Sequence, residues 1–80
     1  MSVHQRSVQD WCEEVWRRFS NDMPVQLLLK LDGLRERPSY GRLLNFVLYF
    51  RLWAMMAGKD VEDFLPYNSE VERWFPCSVM

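Results

Sequence analysis

The chain has little of what catalysis usually relies on. It holds one histidine, His4, two cysteines, Cys12 and Cys77, and three scattered glycines. His4 falls in an N-terminal stretch, residues 1–6, expected to fray, so a general base or triad built on it would have no fixed position. Two cysteines are too few for a disulfide scaffold, which points to a reducing compartment. No Cys/His spacing suits zinc, and no glycine-rich loop is present to cradle a phosphate. Asp60, Glu62 and Asp63 cluster, but without the Asp-x-Asp-x-Asp-Gly order of a calcium loop, and they fit the start of a helix. The expectation is a protein without catalytic residues, metal or cofactor.

Charge of one sign is also missing. The formal net charge is -1, so there is no bulk attraction to nucleic acid or to an anionic membrane. The opening "MSVHQRSVQDWCEEVWRRF" is charged throughout and has no apolar run of the secretory kind. A cytoplasmic or intracellular protein is therefore expected. Strand-like alternation, internal repeats and low-complexity segments are lacking as well.

What the chain does have is apolar and aromatic mass. Of its 80 residues 49% are hydrophobic and 15% aromatic, four of them Trp. That suits one small domain, near the size at which a single core only just outweighs chain entropy. Four or five helices are expected. Ser7 with Asp10 forms a capping box, and Val8, Trp11, Cys12, Val15 and Phe19 follow at helical spacing, giving a helix over about 8–20. Glu13 with Arg17 and Glu14 with Arg18 are spaced for i,i+4 pairs. Asp22 and Pro24 predict the start of a second helix that Gly33 ends. Ser39 caps a third helix from Tyr40 to Ala57, ended by Gly58. "KDVEDFLP" predicts a short fourth, capped by Asp60, and "NSEVERWFP" a fifth, with Pro66 and Pro76 as the stops.

The third segment, "RLLNFVLYFRLWAMMAG", is the least polar of the chain. A spanning helix needs about 20 mostly apolar residues, and an arginine at its centre costs about 2.5–3.5 kcal/mol on insertion scales. Arg51 occupies that centre, so a core helix is expected instead. At 100° per residue Gly41, Arg42, Asn45, Tyr49, Leu52 and Met56 share one arc, and apolar side chains fill the rest. Such a helix is expected to be covered on several sides. Arg51 then either pairs with a carboxylate from the acidic C-terminal part or serves as an anchor for a partner. Residues 59–80 hold two basic and five acidic side chains, against eight and six in residues 1–58.

Two motif-like features give alternatives. Lys30, Arg35, Arg37 and Arg42 gather near one linker, but Asp32 and Glu36 dilute them and Pro38 interrupts any helix-turn-helix, so a nucleic-acid role is disfavoured. The tail "CSVM" has the C-a-a-X order of a prenylation site, which would lipidate Cys77 and make the protein membrane-peripheral. Against it stand the nearby acidic Glu70 and Glu72 and the weak hold of one lipid chain.

The sequence therefore predicts an all-α bundle of four or five short helices around a central apolar helix at about 40–57, forming a single domain over 1–80. The expected role is binding another protein, as a small adaptor, inhibitor or effector, with self-association as a further option. Trp16, Arg51, Trp53 and Met56 are the expected contact residues, being of the types enriched in interface cores.

Overall fold

A computed structural model describes residues 6–76. Its first helix begins where local chemistry places it. The Ser7 hydroxyl accepts from the Asp10 N–H at 3.1 Å and the Asp10 carboxylate accepts from the Ser7 N–H at 3.4 Å, closing the box that starts α1, Val8–Phe19. Val8, Trp11, Cys12, Val15 and Phe19, the expected apolar face, are all buried. Next come α2, Val25–Glu36, and α3, Tyr40–Ala57, then a single 3₁₀ turn, Glu62–Phe64, and α4, Asn68–Trp74. The result is a compact all-helical bundle with no strand among the described residues.

α3 has the predicted ends. The Ser39 hydroxyl accepts from the Arg42 N–H at 3.1 Å, and Gly58, at φ 70°, takes the left-handed turn that a residue with a Cβ would resist.

Other expectations need correction. α2 does not stop at Gly33. That glycine has no positive φ and is carried inside the helix, which runs on until Arg37. Pro38 disfavours helical backbone at the residue before it, and Arg37 has left the helical region at φ -135° and ψ 74°. Nor does Asp22 cap α2: Pro24 holds the cap position without a side-chain bond, and the Asp22 carboxylate pairs with Lys59 at 2.9 Å. The expected fourth helix shrinks to the 3₁₀ turn. Asp60 accepts from the Glu62 N–H at 3.3 Å, and Leu65, before Pro66, is already extended. The expected i,i+4 pairs on α1 give way to longer-range ones. Glu13 takes Arg35 of α2 at 2.8 Å and Glu14 takes Arg6 at 2.9 Å. Arg18 instead lies over the Phe64 ring, 5.2 Å from its centre.

The core is built where α1, α2 and the inner side of α3 meet. Leu27, Leu31 and Leu34 of α2 join Leu43, Phe46, Phe50 and Ala54 of α3 against the buried face of α1. Aromatic rings knit it: Trp11 meets Phe46 edge-on at 5.8 Å, Phe46 stacks on Phe50 at 5.2 Å, and Phe50 stacks on Trp53 at 6.0 Å. The C-terminal part closes over α1 through two indole N–H groups. Trp11 Nε1 donates to the Phe64 carbonyl at 2.6 Å, and Trp74 Nε1 donates to the Arg6 carbonyl at 2.9 Å. Arg6 completes this closure with a two-pronged contact to Glu70, both bonds 3.0 Å. Those bonds hold the Glu70 carboxyl below the usual carboxylate range and raise the Arg6 guanidinium.

α3 is central in length and in packing but is not covered on several sides. Its inner arc is buried, while Leu44, Leu48, Leu52, Met55 and Met56 are exposed.

Candidate functional site

α2 and α3 are joined by a three-residue link and run antiparallel. Lys30 sits beside Tyr49, while Gly33 faces Gly41 and Asn45. Each helix carries more apolar residues than one face can hold. On α2, Leu27, Leu31 and Leu34 point into the core, which turns Val25 and Leu29 outward at 69% and 64% exposure. On α3 the same geometry turns out Tyr49, Leu52 and Met56, the last 88% exposed. Because these outward stripes lie side by side, they enclose a groove of about 850 Å³, open on one side. Leu29, Tyr49, Leu52 and Met56 form its walls, and the half-buried Trp53, stacked on Phe50, is part of its lining.

Toward the link between the helices the groove becomes shallow and basic. A second hollow, about 420 Å³, is lined by Lys30, Gly33, Gly41, Arg42 and Asn45. Lys30 lines both, so the two hollows adjoin at its side chain. Its ammonium lies 4.6 Å from the centre of the Tyr49 ring, a cation–π contact. Arg42 Nη1 donates to the Arg37 carbonyl at 3.4 Å.

The four residues expected at a partner surface are split by the structure. Trp53 and Met56 line the same groove. Arg51 lies on the opposite flank of the exposed side of α3 and meets Glu62 at 3.6 Å, both side chains more than half exposed. It is thus paired with the acidic C-terminal part, one of its two expected positions. A pair this exposed contributes about 1 kcal/mol at most. Trp16, on α1, is 40% exposed and does not line the groove. Sequence reasoning missed Leu29 and Lys30. The available signal was the run Val25, Leu27, Leu28, Leu29, Leu31, which is too broad for one buried stripe. The arc of Gly41, Arg42, Asn45, Tyr49, Leu52 and Met56 was visible as an arc, and it is the α3 side of the two hollows.

The remaining candidates are placed as follows. Cys12 is buried against the core, and that burial pushes its thiol up to about 12, so it is not a nucleophile at neutral pH. His4 and Cys77, with the rest of the "CSVM" tail, lie outside the described residues. The four basic residues near the link do not act as one patch, because Arg35 is committed to Glu13 at 2.8 Å and Asp32 at 3.3 Å. Among the described residues no helix is long and apolar enough to cross a membrane.

No known protein family, curated protein or solved structure matches the chain.

Proposed function

We propose that this protein is a non-catalytic binding module, a small adaptor, inhibitor or effector that docks another protein on the groove between α2 and α3. The observation that carries this reading is the exposed apolar lining that Leu29 of α2 and Leu52 and Met56 of α3 form beside Trp53. Large apolar patches left on a soluble fold mark binding surfaces, and Met and Trp are enriched at the centres of such surfaces. Met adapts its shape to an incoming surface, and Trp53 is held rigid by its stack on Phe50, so the groove combines a fixed anchor with an adaptable rim.

The test compares partners captured from host extract by the native chain and by Leu29→Glu/Met56→Glu. Both positions are exposed, so the variant keeps the native urea midpoint while losing the specific partner. Arg51→Ala and Trp16→Ala, which lie outside the groove, retain it. If the folded double variant captures the same partner with the same affinity, the groove is not the docking site.

A further inference from the structure

The groove's two ends differ in chemistry, and that difference selects an occupant. We propose that it receives an amphipathic helix from another protein, with apolar side chains in the Leu29–Met56 end and one or more carboxylates at the Lys30–Arg42 end. This rests on the docking reading above and goes further by naming what docks.

Shape supports a helix. The α3 side of the two hollows runs from Gly41 to Met56, about 22 Å at 1.5 Å rise per residue, the length of four helical turns. The antiparallel pair leaves an apolar trough that is open on one side rather than enclosed, and the Lys30 ammonium over the Tyr49 ring marks its basic end. A trough of that form accepts a third helix whose anchors recur at i, i+3, i+4 and i+7. At the far end, a Cβ added to either Gly33 or Gly41 would meet nothing within 4 Å. Both helix surfaces are therefore open there, and an incoming backbone can approach closely.

Charge narrows the choice. Lys30 and Arg42 are the charged residues lining the two hollows, and both are cations. Neither forms an ion pair among the described residues, and what separates them from the other unpaired cations, Arg17, Arg18, Arg37 and Arg73, is that they line the apolar groove and its neighbouring hollow. A second copy of this chain, docked groove to groove, brings another Lys30 and another Arg42 to this face and supplies no carboxylate from either lining. An acidic amphipathic helix satisfies both ends at once.

Two synthetic 18-residue helical peptides test this on the full-length protein. Both carry Leu at i, i+3, i+7, i+10 and i+14. One places Glu beside the last turn, the other Lys. The Glu peptide is expected to bind about ten-fold more tightly in low salt, by fluorescence anisotropy. Its amide shift changes should fall on 25–33 and 41–57. Lys30→Gln/Arg42→Gln should erase the preference between peptides, and Leu29→Glu/Met56→Glu should erase binding. Equal affinity for the two peptides, no binding, or shift changes elsewhere would overturn the proposal. Sedimentation then separates the two readings. If no peptide binds but the chain dimerises and Met56→Glu dissociates it, the groove docks a second copy and only the helix proposal fails. If Leu29→Glu/Met56→Glu also leaves every partner bound, the docking reading fails with it.

Discussion

On α3, Leu43, Phe46, Phe50 and Ala54 are buried, while Leu44, Leu48, Leu52 and Met55, only a residue or two away, stand in solvent. The two sets do not differ in kind. They differ in having neighbours: α1 and α2 close over the inner arc, and among the described residues no element closes over the outer one. Hydrophobicity alone therefore does not assign a residue to the core. A side chain becomes core only when another element covers it, and a short chain can carry more apolar arcs than it has elements to cover them.

The comparison breaks most visibly on the inner arc. Phe50→Ala removes a fully buried ring that stacks on both Phe46 and Trp53 and meets Phe19 edge-on at 5.4 Å. The expected loss is about 3–5 kcal/mol, a large part of the whole stability of so small a domain. Urea unfolding followed by tryptophan fluorescence reads it. A loss below 1 kcal/mol would mean that the ring cluster is not the centre of the fold.

A middle-sized effect belongs to the closure of the C-terminal part over α1. Trp74→Phe keeps an aromatic side chain but removes the pyrrole part of the indole, with the N–H that reaches the Arg6 carbonyl, at an expected cost of about 1–3 kcal/mol for the lost bond and packing. The Arg6–Glu70 contact adds a pH dependence of definite sign. Its hydrogen bonds lower the Glu70 pKa in the folded state, so at acid pH the unfolded chain binds the proton first. The contribution is complete above the ordinary glutamate range and is lost as pH falls from there through the depressed folded value. Glu70→Gln should flatten that part of the acid limb of stability against pH. An unchanged acid limb would place the dependence on other carboxylates.

How much of this was legible in the sequence depends on whether a signal was local. The Ser7–Asp10 box, the Ser39 cap and the Gly58 stop are written within a turn of the chain, and each appears where expected. The inner face of α1 was legible for the same reason, since its apolar residues recur at one period and its charges lie opposite. Gly33 misled because a glycine ends a helix only where a left-handed turn is needed, and Pro38 was the actual stop. Asp60 misled because its carboxylate serves a local turn equally well. The salt bridges were the least legible. Arg35 and Glu13 are distant in sequence, and their pairing depends on how α1 lies against α2. The groove follows the same logic. Its α3 arc could be drawn from periodicity, but its exposure is a property of the assembled bundle, as is the placement of Leu29 and Lys30 opposite it.

The smallest expected effect tests the comparison most sharply. Leu48→Gln lies on the outer arc, 55% exposed in the isolated chain and outside the groove lining. If that arc has no partner in the free protein, replacing Leu48 removes little buried area and leaves no cavity, so the unfolding free energy from urea titration should change by no more than about 0.5 kcal/mol in either direction. The same change at Leu31, buried on α2, would put an unpaired amide into the core and unfold much of the population. A loss above about 1 kcal/mol at Leu48 would therefore show that the outer arc is already covered in the free protein. Dilution separates the two ways of covering it: a stability that falls with protein concentration indicates a second copy, and a constant one indicates another part of the same chain.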